Sequence, residues 1–442
     1  MHDIESAGSD AAIEASGETK ESSEGPLSQL GRIISKTSTQ NFGPPPDGGW
    51  FACMQVVLVH LTVIDTWGFI NSFGFFQAYY VNTLQKEPSD ISWVGSFQLW
   101  LLFAVGVIAG RATDAGYFKI CYLVGSAFLV LGIFMTSLCE EYWQFFLAQG
   151  VCQGIGNGLI FIPTLTILPG YFVKHRVLAM TAASSGTATG AMIYSATIQA
   201  LLPQVGFKWT IRVIGFIVLA IQTINLCFLR HRIPPRKSGP ILELQAFKDP
   251  TYTLMAISFF LINMGVWFAY DYVPSYASTY LNLDQETSNH LILILNGPGI
   301  PGRLLPALIA DRYAGPINML IIFSLATGVT TFAWAAVNNH TGFISWCAVY
   351  GFFSAGFLGL FPASIACLTE NPKKIGIRMG MVFSLVGFAN LIGPPVSGAL
   401  IQRMNGLYLG AQIFSGLCCC IGGIILVIAR VNKVGMKLNM RM

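Results

Sequence analysis

The sequence predicts an all-α polytopic membrane protein in which twelve transmembrane helices form two six-helix bundles. Three observations predict it. Charge is scarce: only 10% of the 442 residues are charged, 53% are hydrophobic and the mean hydropathy is +0.60, whereas soluble chains carry roughly 25% charged residues. Apolar runs recur at the ~20 residues needed to cross a ~30 Å hydrocarbon core. The longest polar connection, RHRIPPRKSGPILELQAFKDP at 230–250, has six such runs on either side.

Residues 1–43 are rich in Ser, Glu, Gly, Ala and Lys and lack an apolar run. They read as a disordered cytoplasmic tail. No basic stretch leads into a short apolar core, so no cleaved signal peptide is expected, and the first span acts as the targeting signal. Pro44, Pro45 and Pro46 cannot enter a helix interior, and Asp47-Gly48-Gly49 gives a polar helix entry. Trp50 suits an interfacial anchor. The spans fall at 50–78, 91–111, 119–139, 143–168, 177–201, 208–229, 251–275, 289–310, 316–337, 342–368, 376–401 and 408–430. This gives an N-terminal bundle at 44–230, a central cytoplasmic loop at 231–250, a C-terminal bundle at 251–430 and a cytoplasmic tail at 431–442. A break is expected in the eleventh span at Gly393-Pro394-Pro395.

Basic residues set the orientation. Connections after even-numbered spans hold thirteen Lys and Arg, and those on the other face hold only Lys86, Lys208 and Arg403. Positive charge stays inside, so both termini are expected in the cytoplasm. Asn339-His340-Thr341, between spans nine and ten, is then an external glycosylation sequon.

The halves echo each other. Gly110-Arg111 with Asp114 closes span two, and Gly302-Arg303 with Asp311-Arg312 closes span eight. Lys174-His175-Arg176 opens span five, and Lys373-Lys374 with Arg378 opens span eleven. Duplicated bundles of this kind enclose a central site in transporters. The charges at these ends (Arg111, Asp114, Lys174, Arg176, Asp311 and Arg312) are candidate cytoplasmic gates, through ion pairs or through capping of neighbouring helix ends. Gly150, Gly154, Gly156 and Gly158, and Gly186 with Gly190, offer small faces for close helix contact.

Ionisable groups at membrane depth are expected to have partners or a function. His60, Asp65, Arg212, Asp271 and Arg303 qualify. Asp65, in a first span that reads as one wall of a polar cavity, is a candidate proton site, and Arg303 an anion site; Asp271 is a further candidate. Arg212 reads as snorkelling to its interface and His60 as a helix-packing group. Trp67, Phe73, Phe76, Trp93, Trp267, Tyr270 and Tyr272 are candidates for stacking on a planar solute. The ten cysteines lie mostly within apolar runs and read as packing residues. No metal-ligand spacing, nucleophile–base constellation or GxxxxGK[ST] phosphate loop appears. The sequence therefore predicts no cofactor, no enzyme, no ATP-driven pump and no nucleic-acid partner. A nutrient sensor that keeps the fold but signals is a further alternative; it would favour a long cytoplasmic tail, and only about a dozen residues follow span twelve, so it carries little weight.

Asp47-Gly48-Gly49-Trp50 entering span one, and YFVKHRVLA at 171–179 leading into span five, resemble the two signatures of the monocarboxylate porter family of the major facilitator superfamily. TWGFINSFGFFQAYY, GRATDAGYF and QGIGNGL resemble its fungal branch. The resemblance covers about residues 44–430. It implies twelve helices, alternating access and a small organic solute, monocarboxylate-like or another organic anion, often moved with a proton. Export of a fungal secondary metabolite is the alternative. A monomer in the plasma membrane suffices for this plan, and an internal membrane is the alternative host. The family's proton-coupled members have a Lys late in span one, where this chain has Asn71, and an Asp four residues before the span-eight Arg, where this chain has Gly299 before Arg303. Asn71 therefore joins the candidate site, and simple acid–proton symport loses its usual charged pair.

Overall fold

A computed structural model describes residues 45–86, 88–232 and 243–435. Tail residues 1–43, residues 233–242 of the central loop and residues 436–442 lie outside the described residues. Helix α1 is built from Trp50–Val63, Ile64–Gly68, Phe69–Asn71 and Phe73–Leu84; α2 is Pro88–Asp114 and α3 Phe118–Thr136. Helix α4 comprises Tyr142–Phe145, Phe146–Gln153 and Gly154–Leu165. Arg176–Ser184 and 186–205 form α5, and 207–228 forms α6. The second half contains α7 at Pro250–Thr279 and α8 at Gln285–Asn296, Gly299–Ile309 and Ala310–Ala314. It ends with α9 at Pro316–Trp334, α10 at His340–Leu368, α11 at Ile375–Arg403 and α12 at Leu409–Val434.

The apolar stretch Arg176–Phe228 runs for 53 residues and is two spans, not one. Its break is Gly206, at φ +73°, a conformation that glycine adopts without a Cβ clash. Tyr194 and Gln222 lie on either side of that break, and both bond the Asp65 carboxylate. A straight helix would separate them by about 42 Å at 1.5 Å per residue, so the chain must fold back at Gly206.

The two halves use the same contacts. Helix α1 packs on α5 and α6 as α7 packs on α11 and α12. Helix α4 lies against α2 and α3 as α10 lies against α8 and α9. Between the halves, α2 lies along α11 while α5 meets α8 and α10. Small residues make these approaches close, as membrane helices without a hydrophobic drive between them require. A Cβ on Gly110 of α2 would sit 2.4 Å from the Gly376 carbonyl oxygen of α11.

Two expectations need correction. Helix α11 runs unbroken through Pro394 and Pro395; Tyr272 Oη donates to the Pro394 carbonyl at 3.2 Å, and Gly393 packs on Met264 of α7. A partner from α7 thus meets one backbone acceptor beside the prolines. Helix α12 extends to Val434, past the expected limit at 430, because 431–434 continue its hydrogen-bond ladder.

Candidate functional site

A narrow cavity of about 40 Å³ lies between the halves. The first half supplies Val63 and Trp67 (α1), Phe103 (α2), Phe161 (α4), and Ser184 and Thr187 (α5). The second supplies Asn263 and Trp267 (α7), Arg303 (α8), Leu358, Phe361 and Pro362 (α10), and Phe383 (α11). Trp67 and Trp267 stack across the interface with centroids 5.7 Å apart and planes 12° apart. The i, i+4 spacing puts Val63 and Trp67 on one face of α1, and likewise Asn263 and Trp267 on α7. Trp267 Nε1 donates to Asn263 Oδ1 at 3.4 Å. The expected polar cavity is instead largely aromatic. Phe73, Phe76, Trp93, Tyr270 and Tyr272 do not line it.

Among the described residues, Arg303 is the one charged residue in this wall and no carboxylate lines it. Its guanidinium is buried, and Nη1 donates to the Gly299 carbonyl at 3.3 Å. A Cβ at position 299 would meet that same Nη1 at 3.1 Å. A buried cation without a carboxylate in its wall is costly, and an anionic ligand would offset the cost.

Asp65 is fully buried but lies behind the cavity wall, towards α5 and α6. Oδ1 accepts from Tyr194 Oη at 2.7 Å and Oδ2 from Gln222 Nε2 at 2.8 Å. Gln222 accepts in turn from Ser126 Oγ at 2.9 Å. Thr62 bonds Tyr122 and Asn225 close by. Asp65 sits in a five-residue widened turn, Ile64–Gly68, a feature frequent at functional positions in helices. Both of its partners are neutral donors, so no cation offsets a negative charge on Asp65 through these two bonds.

Two carboxylates latch one face of the molecule. Asp114, at the end of α2, accepts from Ile377 N in the first turn of α11 at 2.9 Å. Asp311, at the end of α8, accepts from Val177 N at 3.2 Å and Leu178 N at 2.8 Å in the first turn of α5. Each carboxylate caps orphan N–H groups of a helix in the opposite half and meets the positive end of its dipole. Of the two expected mechanisms, these contacts are the capping one. Arg176 Nη1 adds a bond to the Ala366 carbonyl of α10 at 3.3 Å. Arg111 lies one turn before Asp114, and Arg312 is exposed beside Asp311. Lys174 is also exposed.

Lys174 takes part through its backbone: its N–H and that of Val173 donate to Asp47 Oδ1 at 2.7 and 2.5 Å. The two signature stretches thus meet. Burial pushes the Asp47 carboxyl up, but those two bonds and the charges of Lys174 and His175 outweigh it and hold it below its ordinary value. Glu243, which no sequence pattern singled out, is buried beside α11 and pairs with Lys374 Nζ and with Arg378 Nε, the latter at 3.3 Å. Burial raises this carboxyl, and the two cations more than reverse the shift.

The remaining residues sit elsewhere. Asn71 ends a short helical piece one turn beyond Trp67 and does not line the cavity. Asp271 is exposed on α7, outside the cavity wall. His60 bonds the Ala182 carbonyl through Nδ1 at 3.0 Å, a helix-packing contact. Arg212 bonds Ser137 at 3.3 Å and stacks on Trp209. Asn339 is exposed and caps α10, its Oδ1 accepting from Gly342 N at 2.6 Å. Sequence reasoning missed Asn263, Ser184, Thr187, Phe103, Phe161, Phe361 and Phe383. Of these, only Asn263, a carboxamide inside an apolar run, carried a usable signal.

Two similar six-helix halves that meet at a central cavity, with one face latched, define a multi-pass membrane transporter. Residues 58–394 match the Major Facilitator Superfamily, and the chain belongs to that superfamily. It is 40% identical over 409 residues to an MFS-type transporter of Gibberella zeae, covering 91% of this chain and 92% of the relative. It is 35% identical to the aspyridones efflux protein of Emericella nidulans, covering 86% and 78%. Among solved structures, the E. coli fucose:proton symporter has the same fold at 14% identity, with a TM-score of 0.67 over 86% of this chain and 98% of that one. A human organic anion transporter matches at 12% identity, with a TM-score of 0.68 over 85% and 99%.

Proposed function

We propose that this transporter exports a flat organic anion of the fungal secondary-metabolite kind. The observation that carries the reading is Arg303, a buried cation in an aromatic cavity whose wall holds no carboxylate. Aromatic walls, with Trp67 and Trp267 stacked across the interface, suit a planar cargo. Arg303 meets its charge, while Ser184, Thr187 and Asn263 offer hydrogen bonds. Relatives named as efflux proteins for aspyridones, agnestins and fujikurins support a metabolite cargo and outward direction. The likeness to monocarboxylate porters supports an acid. Gly299 in place of that family's Asp leaves Arg303 to the cargo.

In this reading the latched face and both termini are cytoplasmic, the host is the plasma membrane and Asn339 is outside and open to glycosylation; the bias of thirteen against three basic residues supports the orientation. Asp65 takes the coupling proton, and a single chain contains the whole path.

The test is efflux of labelled aromatic acids from vesicles, with and without a pH gradient, for the wild type, Arg303→Gln and Asp65→Asn. Arg303→Gln should raise KM for the acids at least tenfold and leave a neutral analogue unchanged. Equal KM values for wild type and variant would remove the anion reading.

A further inference from the structure

Asn157 of α4 is fully buried and Asn390 of α11 is 4% exposed. Neither carboxamide makes a hydrogen bond through its nitrogen or its oxygen. Trp67 Nε1, on the cavity wall, is likewise unbonded. Buried polar atoms are nearly always paired, and each unpaired one destabilises the fold. Trp67 lines the cavity and the two asparagines lie outside its lining, on helices that contribute Phe161 and Phe383 to it, so the unpaired amides need an explanation.

Helix geometry shows where the two amides point. Asn157 is one turn from Phe161, and Asn390 is two turns from Phe383; spacings of four and seven residues share a helix face. Phe161 and Phe383 both line the cavity and touch each other with centroids 5.8 Å apart. Chain direction then puts both asparagines on the same side of that contact. Helix α11 begins at the latched face, with Ile377 bonded to Asp114, and α4 ends towards the loop that opens α5 there. Residue 390 comes after 383 on α11, and residue 157 comes before 161 on α4. Both amides therefore stand one to two turns beyond the aromatic contact, away from the latch, one from each half. Arg303, the only charge in the wall among the described residues, belongs to a third helix.

We infer that Asn157 and Asn390 form a second, neutral subsite that binds keto, hydroxyl or amide oxygens on the body of the cargo while Arg303 holds its acid group. A carboxamide both donates and accepts, so each can serve a carbonyl or a hydroxyl. The amides have no partner within the protein, and the cargo supplies one. A site built this way rejects an analogue that lacks the oxygen, because the buried amides then stay unpaired. This inference rests on the reading that the cavity takes an aromatic acid, and the test separates the two.

The probes are anthraquinone-2-carboxylate and anthracene-2-carboxylate, matched flat acids with and without two ring carbonyls. Equilibrium binding of each, radiolabelled, is measured on the purified full chain. The wild type should bind the quinone acid about fivefold to thirtyfold more tightly, the size of one or two neutral hydrogen bonds. Asn390→Leu and Asn157→Leu should each bring that ratio towards one. Arg303→Gln should weaken both acids equally and keep the ratio; if it weakens neither, the anion reading fails while the ratio still decides the subsite. Equal binding of the two acids by the wild type, or a ratio that survives both leucine variants, overturns the subsite. Thermal unfolding gives a readout independent of cargo. Removing an unpaired buried amide should raise the midpoint by about 2 °C, whereas a fall would mean that the amides are structural and would also overturn the proposal.

Discussion

The latch should set which face of the cavity is open, and its strength can be worked from the structure. Asp311→Ala with Asp114→Ala removes three bonds from carboxylate oxygens to first-turn N–H groups, two on α5 and one on α11. A helix cap contributes about 1 kcal/mol, and a favourably placed charge at the dipole adds about 0.3 to 1. The double variant therefore loses about 2 to 4 kcal/mol from the latched state, a shift of roughly 30-fold to several hundredfold in its population. All three bonds bridge the halves, so the loss acts on their relative position more than on either bundle. Thr187, in the cavity wall, becomes the reporter as Thr187→Cys, with exposed Cys53, Cys227 and Cys367 changed to Ser. A membrane-impermeant maleimide is applied to each side of sealed vesicles in turn. The intact latch should confine labelling to the side opposite Asp114 and Asp311, and the double variant should label from the latched side as well. Unchanged sidedness in a folded double variant would refute the assignment of these caps as a gate.

Glu243 gives a pH test. Its folded-state carboxyl is held below the ordinary 4.5 by Lys374 and Arg378 despite burial, so its stabilisation is present above pH 4.5 and is lost as pH falls through the lowered value. Thermal midpoints should therefore drop more steeply below about pH 5 for the wild type than for Glu243→Gln. Gly110→Val should hold α2 off α11, since even a Cβ there meets the Gly376 oxygen at 2.4 Å, and should open the latched face to the same maleimide. Asp65→Asn keeps both hydrogen-bond partners within reach but removes the titratable group; gradient-driven transport should fall at least tenfold while exchange between equal cargo pools survives. Trp267→Ala removes the stack on Trp67 and should weaken aromatic acids by about threefold to tenfold, from a pair contribution of about 0.5 to 1.5 kcal/mol.

Much of this was legible before any coordinates. The shortage of charge and the length of each apolar run specify membrane helices, because backbone polar groups in hydrocarbon must be satisfied within the span. The matched Arg111-to-Asp114 and Arg303-to-Arg312 stretches pointed to repeated halves, and their carboxylates do meet the opposite half. Arg303 stood out because an arginine at membrane depth is rare. Lining residues such as Phe103, Phe161 and Phe383 did not stand out. A phenylalanine has the same composition signal whether it faces lipid or cargo, and only the helix rotation distinguishes the two.

Asp65 shows the boundary between the two sources of information. The sequence by itself established a carboxyl inside the first span that must avoid lipid. Only the tertiary structure decided that its partners are Tyr194 and Gln222, brought together by the reversal at Gly206, and that it stands behind the cavity wall. The physical reason is range. Span length, charge and glycine content act along the chain and can be read from it. Which buried groups become neighbours depends on how twelve nearly equivalent apolar cylinders choose their contacts, and that choice is made by shape complementarity among residues far apart in sequence.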